Sequence, residues 1–306
     1  MQQRILLIFT RTPLHVGAGA SVGAIDQPII RERHTQFPII PASSLKGSFA
    51  DLWNTSLSES GKRGEGQAAW LFGSDDPDKA AAGALLFGEA RLLAFPIRSA
   101  RGSFAWITSP TVLLRAARDG ILPVEVVKNL LPLGERDGEK SGSEENVAAF
   151  DASGSPAINK KVVLEDHVFE HVGDLPEALP NAMRGLLSGD PVWDCVSDRL
   201  VVVNDHALSH FTVTACEVAQ HVRISDSTGA AEGTALFNQE NVPSETLFYF
   251  VLRATRSRLQ GGEFAGESPE SALTQFCTRI QEEPLLQFGA DASTGLGYCT
   301  VEPFQS

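Results

Sequence analysis

An α+β fold with antiparallel strand pairing is what this sequence predicts, and three observations predict it. Strand-like and helix-like stretches are intermixed, without the regular alternation of βαβ units. Three strand-like runs follow one another late in the chain, over 217–224, 234–239 and 246–254, in the manner of hairpins. No internal period of about 20–50 residues signals a solenoid or propeller.

Taken in order, Arg4 to Thr12 is rich in Ile, Leu and Phe and stops at Pro13, so it reads as a buried strand. Gly17 to Gly23 holds too few large side chains to pack and reads as a loop. Ser43 or Ser44 is expected to cap a helix running through Phe49, Leu52 and Trp53. Polar Ser56 to Gln67 reads as surface loop, Ala84 to Ile97 and Phe104 to Thr108 as strands, and Thr111 to Arg118 as a short helix. Gly134 to Glu145 is charged and glycine-rich, another loop. Val162 to Val172 alternates with polar residues on both parities, so it is expected to project as an arm. Pro176 to Ser188 reads as helix, Arg199 to Asn204 as strand, and Asp205 as the N-cap of a helix through Phe211. After the three late strands come a helix over Pro269 to Glu282 and closing strands at Leu285 to Phe288 and Tyr298 to Val301.

The 306 residues are enough for one elaborated domain or two modest ones. Four scattered cysteines with no Cys-x-x-Cys pair read as reduced, structural thiols and exclude a zinc ribbon. No apolar run approaches the ~20 residues that cross a bilayer. The opening residues lack a signal-peptide layout, so no membrane association and a cytoplasmic location are expected. A net charge of −13 argues against a free nucleic-acid binder. Its distribution matters, however. Residues 1–50 carry five basic side chains against two acids, a local +3, and the rest carries −16. Such a chain suits binding RNA inside an assembly whose basic members meet its acidic faces.

The most informative stretch runs from His15 to Gly47. A histidine, a glycine-rich turn, a lone Asp26 near Arg31 and Arg33, and Ser43-Ser44-Leu45-Lys46-Gly47 follow one another. Glycines let backbone amides approach an anion, and a helix start with a lysine favours phosphate. A carboxylate there can bind a metal ion or take a proton beside that phosphate. The competing readings are plain: Asp26 as a loop residue satisfying local amides, the serines as helix caps, Arg31 or Arg33 paired with Glu32. His206 and His210, like His167 and His171, stand four apart but lack a completing ligand and read as packing or surface residues.

The ordered set Leu14-His15-Val16-Gly17, Ala24-Ile25-Asp26, Pro28-Ile29, Arg31-Glu32-Arg33 and Ser43-Ser44-Leu45-Lys46-Gly47 resembles the RAMP superfamily, the repeat-associated proteins that build type III CRISPR effector complexes. Within it the chain most resembles the repeated backbone subunit of type III-B (Cmr) complexes, the one that cleaves target RNA. Leu200 to Asp205 with Ser209-His210-Phe211, Ala235 to Phe248, and the glycine-rich Gln287 to Gly297 agree with that choice. The middle, about Ser56 to Arg199, carries little that matches. Ala42 stands where glycine is expected, and Gln27 where an apolar residue is more usual.

The resemblance implies a ferredoxin-like (RRM-like) antiparallel core in a single domain spanning 1–306. Insertions are expected at roughly 15–43 (a catalytic loop), 56–83 (a surface loop) and 134–190 (a projecting thumb or variable region). It implies cleavage of target RNA by Asp26 with magnesium or another divalent ion, leaving a 2′,3′-cyclic phosphate and a 5′-hydroxyl. His15 and, from the motif alone, Glu240 are implied helpers. Arg31, Arg33, Ser43, Ser44, Lys46, Gly289, Gly295 and Gly297 are implied RNA contacts. The implied partners are guide RNA, target RNA, further copies of the chain and other type III-B subunits. Rival readings are a non-catalytic guide-binding scaffold, a guide-processing endoribonuclease acting through His15, and a metabolic enzyme with a closed small-molecule pocket.

Overall fold

In chain order the elements are β1 (Gln2–Thr10), β2 (Ile39–Ile40), α1 (Ala42–Asp51), α2 (Gly66–Phe72), β3 (Gly73–Ser74), β4 (Ala81–Ala82), β5 (Leu85–Phe87), β6 (Ala90–Arg98), β7 (Phe104–Thr108), α3 (Pro110–Asp119) and α4 (Val124–Lys128). They continue with β8 (Val147–Phe150), β9 (Ala157–Ile158), β10 (Lys161–Leu164), β11 (His167–Gly173), α5 (Ala178–Arg184), α6 (Val196–Arg199), β12 (Leu200–Val203), α7 (Asp205–Thr214) and β13 (Glu217–Ile224). The last are β14 (Ala231–Asn241), β15 (Leu247–Ala254), α8 (Pro269–Glu282), β16 (Leu285–Gln287) and β17 (Tyr298–Pro303). The structure, a computed structural model, describes residues 2–19, 23–53, 66–74, 76, 80–128, 147–225 and 227–304. Most of the loop expected over Ser56 to Gln67, and all of that over Gly134 to Glu145, lie outside the described residues.

Thirteen strands of the described residues form one sheet, ordered β16-β17-β1-β15-β6-β7-β12-β8-β11-β10-β9, with β2 beside β6 and β5 beside β15. Strand β1 sits antiparallel between β15 and β17, and β15 antiparallel to β6. Both faces of β1 are covered, which is why Ile5 to Phe9 is a continuous apolar run and not an alternating one. One face meets helices: Phe49 of α1 lies 5.1–5.7 Å from the rings of Phe87, Phe250, Phe276 and Phe288. On the other, Trp193 packs edge-on against Phe9 and Trp106.

The α+β class holds, but the sheet is mixed. β12 runs parallel to β7, and β11 parallel to β8. Each parallel pair is bridged by further elements, a crossover that short apolar runs do not announce. The stretch Val162 to Val172 also departs from expectation. It is a hairpin, β10 with β11, joined to the sheet through β8 and flanked on its outer side by β9. The turn at Glu165-Asp166 restarts the alternation, so Val162 and Phe169 face the same way and both are buried. Two strand pairs stand apart from the main sheet among the described residues, the short β3–β4 and the long β13–β14 ribbon, whose Val218, Val222, Ile224 and Leu236 are exposed.

Two caps are shifted. Asn204, not Asp205, caps α7, accepting the Ala207 amide at 2.7 Å. Asp205 instead takes the amide and hydroxyl of Thr111 at the start of α3. Helix α1 starts behind Pro41, with no side-chain cap, so Ser43 and Ser44 belong to its first turn.

Candidate functional site

The loop between β1 and β2 is fastened at its root by backbone bonds. Leu14 and Val242 exchange amide bonds at 2.8 and 2.9 Å, Ile30 N–H donates to Val16, and Ala18 N–H to Pro28. Strand β14 is the other half of this fastening, and its alternation explains what each residue does. Asn238 and Glu240 share one face; Gln239 points to the other.

Glu240, 3% exposed, holds both ends of the loop. Its Oε1 meets Arg31 Nη2 at 2.5 Å, and its Oε2 accepts the Ile29 amide at 3.0 Å. Its main-chain carbonyl takes a 2.7 Å hydrogen bond from His15 Nδ1. A carbonyl only accepts, which assigns the proton to Nδ1. The His15 ring is buried over Gly17, where an added Cβ would lie 3.0 Å from Nε2. Arg31 also donates to the Gln36 carbonyl and contacts Cys216, whose thiol burial pushes up to about 12. Arg31 therefore pairs with Glu240. Glu32 pairs with Arg115, both of its oxygens within 3.1 Å of Nη1. Burial works against the Glu32 charge, but hydrogen bonds from Thr35 and Arg115 hold its carboxyl below the ordinary value.

Asp26 differs from these acids. It is exposed, and its Oδ2 accepts the Asn238 amide at 2.9 Å while Oδ1 takes no hydrogen bond from any described residue. The Asn238 side chain returns two bonds, accepting the Asp26 amide at 2.7 Å and donating to the Ala24 carbonyl at 3.0 Å. On the opposite face, Gln239 donates to Asp291 Oδ2 at 2.6 Å, tying in the glycine loop. Gly289 has φ +77°, and a Cβ there would land on the His15 carbonyl, which also accepts the Ala290 amide. Gly297, φ +78°, is closed in the same way against the Phe288 carbonyl. Both glycines thus have a packing reason, while Gly295 stands in open space.

Of the five basic residues in 1–50, Arg4 pairs with Glu270, Arg31 with Glu240, and Arg11 donates to Thr300. Arg33 and Lys46 are exposed and have no acidic partner among the described residues. Ser43 and Ser44 sit on the first turn of α1, whose leading amides have no intrahelical acceptor, and Lys46 follows at the start of the second. The structure thus brings His15, Asp26, Glu240 and the glycine loop to one end of β14. Among the described residues, no three His, Cys, Asp or Glu groups form a ready ion site. Asn238 and Gln239 carry no motif; only the strand alternation beside Glu240 would have singled them out.

These features define a mixed-sheet α+β protein with an open site built from a glycine loop, a strand end and an exposed aspartate. The family follows: residues 8–300 match the RAMP superfamily model, and the chain belongs to that superfamily. It is 29% identical, over 98% of its own length and 95% of the relative's, to the CRISPR system Cmr endoribonuclease Cmr4 of Pyrococcus furiosus. A shorter match, 38% over 26% of this chain and 40% of the relative, is to the Cms endoribonuclease Csm3 of Streptococcus thermophilus. In fold it is similar to the crystal structure of oligomeric Cmr4 from Pyrococcus furiosus, with TM-score 0.66 at 22% identity over 100% and 99% of the two chains. It is also similar to a chain of the type III-B Cmr-beta complex bound to cognate target RNA, with TM-score 0.69 at 19% identity over 99% and 97%. No helix of the described residues is long and apolar enough to cross a membrane.

Proposed function

We propose that this chain is a repeated backbone subunit of a cytoplasmic type III-B CRISPR ribonucleoprotein that binds guide RNA and cuts complementary target RNA through Asp26. One observation carries the chemistry: Asp26 stands exposed with Oδ1 open among the described residues, while Glu240 and Glu32 are committed to arginines. RNA brings its own nucleophile. The ribose 2′-hydroxyl gives its proton to Asp26 Oδ1 and attacks the adjacent phosphorus, and the 5′-oxygen departs and takes a proton from solvent. The products are a 2′,3′-cyclic phosphate and a 5′-hydroxyl. His15 and Glu240 hold the loop rather than react, since their polar contacts lie inside the protein; the burial of His15 also weighs against guide processing through its ring.

Magnesium or another divalent ion fits this donor set: it commonly takes one or two carboxylates, with phosphate and water completing its shell. Asp26 Oδ1 would then hold the ion in place of taking the proton itself, and the ion would supply positive charge to the phosphoryl oxygens. Arg33, Lys46, Ser43, Ser44 and the first-turn amides of α1 would take guide phosphates, and Gly295 offers open backbone in the glycine loop. Arg31 supports them from inside, through Glu240.

The strands β17-β1-β15-β6, connected through α1 and α8, follow a ferredoxin-like order within one elaborated domain. The β13–β14 ribbon is its projecting arm. Base pairing supplies sequence specificity while the protein grips backbone.

The test is a complex reconstituted with guide RNA and complementary target, in magnesium or chelator. Wild type should give regularly spaced fragments ending in a cyclic phosphate, and Asp26→Asn none, with assembly unchanged. Intact target in both, guide still bound, would leave a scaffold. Cutting that persists in chelator would remove the metal.

A further inference from the structure

We infer that Asn238 is the positioning residue of the proposed cleavage site, fixing the loop so that Asp26 presents Oδ1 outward; this rests on the Asp26 reading above. The argument begins with what the loop lacks. Residues 17–24 hold only Gly, Ala, Ser and one Val, and Ala24 and Asp26 are exposed; among the described neighbours half-buried Ile25 and buried Pro28 flank the aspartate, so little apolar packing locates it. Backbone bonds at Val16, Ala18 and Pro28 fix the root, and those of Gln27 with Asn238 and Glu240 fix the residue after Asp26; the turn from Ala24 to Asp26 is what the Asn238 side chain adds.

Asn238 supplies what is missing. Its amide side chain closes around the turn, accepting from Asp26 N–H at 2.7 Å and donating to Ala24 O at 3.0 Å. Its carbonyl accepts the Gln27 amide at 3.1 Å, and its own amide engages Asp26 Oδ2 at 2.9 Å. The two carboxylate oxygens are thereby made unequal. Oδ2 is held by the strand, and Oδ1 is left for the substrate. A side chain with both an acceptor and a donor at this reach is needed; Asn satisfies both at once. Residue 238 also belongs to the β13–β14 ribbon, so the ribbon and the aspartate share one mechanical unit.

Removing the side chain should loosen Asp26 without removing any group that grips RNA. A misplacement of about 1 Å costs roughly a hundred-fold in rate. In the reconstituted complex, Asn238→Ala and Asn238→Ser are compared with wild type, Asp26→Asn and Gln220→Ala, in single-turnover cleavage across target concentration. Gln220 lies directly opposite Asn238 in the ribbon and shares no hydrogen bond with Asp26 among the described residues, so it serves as the ribbon control. Both Asn238 variants should lose roughly ten- to a hundred-fold in maximal rate. The half-saturating target concentration and guide retention should stay unchanged, and Gln220→Ala should behave as wild type. Wild-type maximal rates in both Asn238 variants, with Asp26→Asn inactive, would overturn the positioning role and spare the reading beneath it. So would a loss confined to target binding or assembly. Full activity in Asp26→Asn would instead sink the underlying reading.

Discussion

The aromatic wedge beneath α1 and the loop that carries Asp26 are held by opposite means. In the wedge, Phe49 touches four other rings, and Trp53 stacks on Phe276 at 5.6 Å with only 6° between planes. Cohesion there is apolar, non-directional and shared among many contacts. The loop that carries Asp26 sends Leu14, Val16, Ile29 and Phe37 into the core at its root, but the turn at Asp26 is held by directed hydrogen bonds from Asn238 and Glu240. Phe288 joins the two, its ring in the wedge and its amide closing the glycine loop on Gly297. Stability and site geometry therefore rest on different residues, and substitutions should separate them.

The largest effect is expected in the wedge. Phe49→Ala should cost about 3–5 kcal/mol of unfolding free energy, read by denaturant titration. Asp26→Asn should stay within about 0.5 kcal/mol of wild type in the same titration. An equal loss in both would show that the two regions are not separable.

Arg31 sharpens the boundary, being polar, part of the loop, and yet structural. Arg31→Leu leaves the Glu240 carboxylate buried without its countercharge and should cost about 3 kcal/mol. Arg31→Leu with Glu240→Leu should recover part of that loss, because no orphaned charge remains. Failure to recover would mean that the pair's worth lies in fixing the loop and not in mutual neutralisation.

How much of this was legible depends on the kind of signal. β1, α3 and α8 could be read directly, since each carries a long apolar pattern or a firm terminus. The same patterning failed at Val162 to Val172, where a two-residue turn reversed the parity mid-run. Asp26, Arg33 and Lys46 could be placed because local sequence sets their exposure. Glu240 and Arg31 could not be sorted from surface contacts: their pairing spans 209 positions and exists only once β14 lies against the loop. Asn238 was invisible for the same reason.

A smaller effect concerns guide binding. Arg33→Ala and Lys46→Ala should leave the unfolding midpoint unchanged and weaken guide RNA modestly. Each should flatten the log–log salt dependence of binding by about 0.7, the value for one phosphate contact on a single strand. An unchanged slope would assign the lost affinity to loop shape and place these cations off the RNA track.

The smallest expected effect lies away from both regions, at Glu245, which is anchored by main-chain bonds to Thr10 and Trp106. Burial, then the nearby Asp190, push its carboxyl up to about 7, with Arg11 acting against them. The folded protein therefore keeps a proton that the unfolded chain releases near the ordinary 4.5. Across that window the native state binds the extra proton, so this group's contribution to stability falls as pH rises and levels off above about 7. Glu245→Gln keeps the shape and removes the titration. It should melt higher than wild type at pH 8, and the gap should narrow steadily as pH falls toward 4.5. A gap that stays constant with pH would assign the effect to packing and not to the carboxylate.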